Sequence, residues 1–126
     1  MLVGTTATKS EIVTSANTAQ TFGSGLVPVY ATPAMIALME GAAVAAMSKS
    51  LAPEEGTVGT RVDIEHIAAT PLNKKITAKA TLIKVEGRKL VFEVEAHDED
   101  KLIGKGLHER AVINTEKFLE KLGIKA

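Results

Sequence analysis

The segment Thr32-Pro33-Ala34-Met35-Ile36-Ala37-Leu38-Met39-Glu40-Gly41-Ala42-Ala43-Val44-Ala45-Ala46-Met47 carries one charged side chain, Glu40. A run of this length that is apolar on every side predicts a helix buried on several faces. Thr32 reads as its N-cap and Pro33 as its first helical residue, where a missing N–H costs nothing. Pro53 and Gly56 follow closely and put its end near Ser50. A carboxylate in the middle of such a helix must find a partner, neutralise, or carry a heavy desolvation cost. Glu40 is therefore the first candidate for chemistry, against the plainer alternative of a structural pair with Arg61 or Arg110.

Outside that helix the chain reads as strands. Residues Thr5 to Thr14 alternate weakly and are rich in Thr and Val, which predicts a first strand. Residues 15–30, with Gly23, Gly25 and Pro28, read as a loop. After the helix, Thr57 to Ala69 alternates, with Val62, Ile64 and His66 on the core side and Arg61, Asp63 and Glu65 opposite. Lys75 to Val85, Lys89 to His97 and Leu102 to Ile113 follow as strands joined by short turns. Leu90, Phe92, Val94 and Ala96 share one face. An amphipathic helix from Thr115 to Leu122, capped by Thr115, closes the chain. Short turns imply antiparallel neighbours. The expected fold is α+β, an antiparallel β-sheet wrapped around one long central helix, in a single domain over residues 1–126. One sheet leaves a face of that helix uncovered, so a homodimer or higher homo-oligomer is expected.

Fifteen basic residues balance fifteen acidic ones, so no overall field draws the chain to nucleic acid or an anionic membrane. The absence of cysteine excludes disulfides, thiolate metal sites and a cysteine nucleophile. No HExxH, paired cysteine or clustered aspartate suggests a metal site. Gly104-Lys105-Gly106 is too short for a nucleotide loop and reads as close backbone approach within a strand. The N-terminus lacks a basic region followed by an apolar run, and the central helix is too short and interrupted to span a bilayer. A cytoplasmic protein without nucleic-acid or membrane partners is expected.

Thr32, Glu40 and His66 supply a hydroxyl, a carboxylate and an imidazole, the parts of an acyl-transfer site. Each has a plainer reading taken alone: a cap, a structural ion pair, and a satisfied core histidine. Eight helical residues separate Thr32 from Glu40, a rise of about 12 Å, so one helix cannot bring both to one carbonyl. Two antiparallel helices across a two-fold axis would do so, with one site on each side of the axis. His97 reads as a solvated strand end and His108, in His108-Glu109-Arg110, as part of a cross-strand charge cluster. Arg110 is open to pairing with Glu40 or to meeting an anionic substrate.

Several stretches in order then form a pattern: Tyr30 to Glu40, Gly56 to Thr60, His66 to Pro71, Val85 to Arg88, Ala96 to Asp98 and Ile103 to Arg110. Together they resemble the hot-dog-fold thioesterases, nearest the fluoroacetyl-CoA thioesterase type, from about Tyr30 to Phe118. The resemblance implies a hydrolase of acyl-CoA thioesters with a triad-like Thr32, Glu40 and His66. It further implies a substrate-site glycine at Gly59 and a positively charged residue near the CoA-binding region at Arg110. Sites at subunit interfaces are implied too, with no cofactor and coenzyme A present only as part of the substrate. Two departures stand out. The nearest type has Gly after the catalytic Thr, whereas this chain has Pro33, which offers no N–H to an oxyanion. Donors would then come from Ala34, Met35 or the Gly59 region. The fluoroacetyl type also gates its pocket with aromatic side chains, and residues 22–30 offer only Phe22 and Tyr30, so the acyl group stays open. Two other readings of the same fold are a non-catalytic acyl-CoA-binding module and a dehydratase. The second wants an Asp and a His around the helix, which this helix lacks.

Overall fold

A computed structural model describes residues 1–125. The elements run β1 (Thr6–Ile12), α1 (Ala19–Phe22), α2 (Thr32–Met47), β2 (Glu55–His66), β3 (Lys75–Glu86), β4 (Lys89–His97), β5 (Leu102–Asn114) and α3 (Thr115–Lys121). The five strands form one sheet in the order β1-β3-β4-β5-β2, with every neighbouring pair antiparallel. The sheet packs on α2 mainly through β1 and β3. Small residues make that approach close: Ala34, Ala42, Ala43 and Ala46 on the helix oppose Ala78, Ala80 and Ala96 on the sheet, all buried. Met35, Met39, Met47, Ile76, Leu82, Leu90 and Phe92 fill the remaining core volume and are fully buried.

Three sequence expectations are corrected. The loop over residues 15–30 contains the one-turn helix α1, capped by the Thr18 side chain. Ala31, not Thr32, is the N-cap of α2, and no side chain caps that end. Thr32 is the first helical residue, which turns its hydroxyl away from the helix backbone and releases it for another partner. At the other end of the chain, Asn114 rather than Thr115 caps α3, accepting from the Lys117 N–H at 3.1 Å.

β2 is an edge strand and runs past the cover that α2 provides. Its inward set is therefore less buried than the alternation predicts: Val62 is 45% exposed. The strand also changes register between Gly59 and Arg61. Gly59 pairs with Arg110 and Val62 with His108, so the extra residue at Thr60 forms a bulge. Neighbouring β5 approaches β2 very closely. A Cβ on Gly106 would lie 2.1 Å from the Asp63 carbonyl oxygen, and one on Gly104 would lie 2.5 Å from Met35 Sδ. Only glycine fits at Gly106, where the obstacle is backbone, whereas at Gly104 it is chiefly the flexible end of Met35 from α2.

A buried carboxylate ties the far ends of β2 and β4 to the start of α2. Asp98 accepts from the Thr70 hydroxyl at 2.9 Å, from Lys101 Nζ at 2.7 Å and from the N–H groups of Asp100 and Lys101 at 2.8 and 2.9 Å. Burial opposes its charge, but the Lys101 ammonium and the other donors outweigh that and hold Asp98 well below the usual carboxylate range. The Thr70 carbonyl in turn accepts from the Tyr30 N–H at 2.9 Å, two residues before α2 begins. Among the described residues no helix is long and apolar enough to cross a membrane.

Candidate active site

The fold collects the chemistry-bearing residues into two groups on the inner side of the sheet. The first lies where α2 begins and β2 ends. Thr32 Oγ1 and His66 Nδ1 are 2.7 Å apart. They border an open cleft of about 320 Å³ whose walls include Ser24, Val29, Tyr30 and Ala68. His66 Nε2 is buried and makes no hydrogen bond. Burial lowers the His66 pKa from its ordinary value, and the nearby Ala68 carbonyl offsets part of that shift. The ring is therefore neutral near pH 7. A proton on Nε2 would leave the Nδ1 lone pair facing the Thr32 hydroxyl. Tyr30, which precedes the pair, is buried and donates its hydroxyl to Glu11 Oε2 at 2.5 Å. That contact pins the approach to α2 onto β1.

The second group lies two turns along α2, at Glu40. Glu40 Oε2 is 3.3 Å from Arg110 Nη1 and 3.8 Å from His108 Nε2. Arg110 is buried and donates through Nε to Thr57 Oγ1 at 2.9 Å and through Nη2 to the Thr57 carbonyl at 3.0 Å. Burial lowers its pKa from the ordinary guanidinium value while Glu40 opposes the shift, and Arg110 stays a cation. His108 Nδ1 donates to the Arg61 carbonyl at 2.8 Å, which leaves Nε2 to accept from Arg110 Nη1 at 3.1 Å. His108 is thus a fully buried ring against Arg110 and Glu40, a cross-strand cluster turned inward rather than to solvent. Gly59 closes the group from β2: a Cβ there would lie 2.6 Å from Glu40 Oε2.

Of the residues expected in the site, Thr32 and His66 meet directly, and Glu40, Gly59 and Arg110 meet one another. One protomer does not bring the two groups together. Of the two readings open for Arg110, pairing with Glu40 is present: its guanidinium is turned inward and holds Glu40 Oε2. His108 and Thr57 are the partners that sequence reading missed. The alternation of β5 does place His108 and Arg110 on one face, and that signal was available. His97 is exposed, as expected for a strand end.

The helix-wrapped sheet has counterparts in known proteins. Residues 13–116 match the family described as fluoroacetyl-CoA-specific thioesterase. The chain belongs to that thioesterase family. A fluoroacetyl-CoA thioesterase from Streptantibioticus cattleyicolor is 50% identical over 94 residues, which are 75% of this chain and 68% of that protein. A crystal structure of the fluoroacetyl-CoA thioesterase FlK superposes with a TM-score of 0.92 at 41% identity, covering 98% of this chain and 96% of that one. A hot-dog-like protein from Thermanaerovibrio acidaminovorans superposes with a TM-score of 0.87 at 26% identity over 96% of this chain and 90% of its own. The hot-dog fold expected from the sequence is thereby established. Within this thioesterase family frame, the Pro33 question narrows. The Met35 N–H is taken by the Ala31 carbonyl at 3.0 Å, which removes Met35 as an oxyanion donor. The N–H groups of Thr32 and Ala34 have no partner among the described residues and remain available at the helix N-terminus.

Proposed function

We propose that this thioesterase-family chain hydrolyses a small acyl-CoA thioester at a site shared by two subunits. Thr32 and His66 would come from one subunit, with Glu40 and Gly59 from the other. The observation that carries the reading is the 2.7 Å contact between Thr32 Oγ1 and a neutral, partly buried His66. Thr32 is a weak nucleophile without a base, and His66 Nδ1 supplies one. Proton transfer from Thr32 to His66 accompanies attack of Oγ1 on the thioester carbonyl, and the N–H groups of Thr32 and Ala34 receive the oxyanion. The imidazolium then returns the proton to the departing CoA thiolate. Water, activated by the same ring, frees the acid from Thr32.

Glu40 enters from the second subunit, because its own Thr32 lies about 12 Å away along the helix. Oε2 of Glu40 is held by Arg110, which leaves Oε1 to face the imidazolium that forms during turnover. Two uncovered surfaces support the dimer. The stripe of α2 bearing Pro33, Ala37 and Val44 is exposed, and β2 presents an open edge with Val62 uncovered. Relatives named for fluoroacetyl-CoA support a small acyl group.

Release of free CoA from acyl-CoAs of increasing chain length, fluoroacetyl-CoA included, tests the reading. Turnover of the short members is expected. Tight binding of one thioester without release of CoA from any would identify a binding module instead. The pH profile tests the base. Burial within the protomer lowers the His66 pKa, whereas a carboxylate facing the ring raises it, so kcat/KM should rise with pH along one acid limb as the ring loses its proton, and Glu40→Gln should move that limb to lower pH. Absence of any acid limb would exclude His66 as the base.

A further inference from the structure

At the opposite end of the sheet from Thr32, α3 and the β3–β4 turn enclose a cleft of about 320 Å³ lined by Arg88, Val112, Asn114, Lys117, Phe118 and Lys121. Three cations and one half-exposed aromatic ring face this space, and no carboxylate lines it. None of the three cations forms an ion pair among the described residues. Arg88 is steadied only by a 3.4 Å contact from Nη1 to the Val112 carbonyl. In a chain of zero formal charge, whose other surface cations are largely interspersed with acids, this is a concentrated positive site. Lys117 and Lys121 lie one helical turn apart, so their ammonium groups project to the same side.

The cleft is connected to the candidate active site. Arg110, Val112 and Asn114 alternate onto one face of β5, and Arg110 contacts Glu40 whereas Asn114 lines the basic cleft. Four residues of strand span about 13 Å. Between the two ends lies a second trough of about 470 Å³, whose walls include Val44, Ser48, Leu51 and Thr57. Val44 follows Glu40 by one turn of α2, Thr57 holds Arg110, and Glu55 of the same trough pairs with Asn114. The order along this path is a carboxylate, a mixed trough whose one charged side chain is Glu55, held on the Ala52 N–H, then three cations beside an aromatic ring.

We propose that the cleft of Arg88, Lys117, Phe118 and Lys121 binds the phosphorylated nucleotide end of the acyl-CoA substrate, with the pantetheine arm lying in the trough that leads from Glu40. The assignment rests on the acyl-CoA reading given above. It also supplies what Arg110 does not: cations that are exposed and unpaired, suited to phosphate esters. Phe118 offers its face to the adenine ring.

The double charge reversal Lys117→Glu/Lys121→Glu tests this. Both residues are exposed on a surface helix, so the fold is expected to persist. The probes are CoA, dephospho-CoA and pantetheine in calorimetric titrations, which need no turnover. Reversal should weaken CoA about tenfold or more at low salt and leave pantetheine unchanged, with the loss shrinking as salt rises. Dephospho-CoA should bind the unmodified protein more weakly than CoA and lose less on reversal. In kinetics, kcat/KM for acetyl-CoA should fall about tenfold through KM, while S-acetyl-N-acetylcysteamine, which lacks the nucleotide, should change less than twofold. Unchanged CoA binding would overturn the proposal. So would an equal loss for CoA and pantetheine, which would report a disturbed fold. Binding that follows expectation without any turnover would instead retain the cleft and sink the hydrolase reading.

Discussion

Glu40→Gln is expected to lower kcat by at least ~100-fold while leaving the protein folded and KM within a fewfold. The substitution keeps the shape of the side chain and its contact with Arg110 Nη1, 3.3 Å from Glu40 Oε2, but removes the negative charge. Acid–base and electrostatic assistance of this kind contributes about 10²–10⁴-fold, so the loss belongs in that range. Steady-state CoA release and a thermal melt measure it together. Glu40 is the one acid in an otherwise apolar helix, and its charge is held by a buried guanidinium that is itself locked onto Thr57. Such an arrangement fixes the carboxylate in place. A drop of less than tenfold would show that the pair with Arg110 is structural and that Glu40 takes no part in turnover.

Mixing two inactive variants is expected to restore activity. Thr32→Ala removes the nucleophile from one group of residues and Glu40→Gln removes the carboxylate from the other. If each site draws one group from each subunit, a mixed dimer carries one doubly defective site and one intact site. After random exchange, half the dimers are mixed, so about a quarter of the unmodified activity should return. Each variant alone should remain near background, so the recovery spans about a factor of 25 or more if each single loss reaches ~100-fold. Co-expression with two affinity tags, followed by CoA release from the unfractionated mixture and from the doubly purified mixed dimer, where the recovery should rise to about half, gives the measurement. No recovery in demonstrated mixed dimers would place Thr32, His66 and Glu40 in one subunit, against the spacing of about 12 Å along α2.

Much of this was legible before any coordinates, and the reasons are local. The central helix announces itself through an unbroken apolar run, and the three later strands through short turns and clean alternation; Leu90, Phe92, Val94 and Ala96 are all buried. Glu40 was conspicuous because a lone charge in such a run has no ordinary explanation. What escaped notice depended on contacts distant in sequence. Thr32 has the composition of a cap, but capping is decided by backbone angles, and Ala31 has the extended conformation that the N-cap needs. His108 stands in the run His108-Glu109-Arg110, which suggested a cross-strand charge cluster, but how deeply alternation buries it beside Arg110 and Glu40 depends on the helix packed over the sheet. Val62 was assigned to the core because strand alternation cannot say where the helix cover ends. The basic cleft joins Arg88 from a turn to Lys117 and Lys121 from the last helix, and no spacing in the chain connects them.

The extra residue in β2 has a consequence for how this chain can vary. Gly59 and His66 are seven positions apart, an odd number, so a regular strand would turn them to opposite sides of the sheet. Both face inward only because Thr60 is counted out of the ladder between Gly59 and Arg61. The bulge therefore acts as a parity correction on which both groups of site residues depend. Loss of one residue between positions 59 and 66 would give a more regular strand, yet it would swing either the Glu40 contact or the Thr32 contact out into solvent. Length changes in this strand are tolerable only in pairs, a constraint that falls on spacing and leaves the identities of most residues in between free.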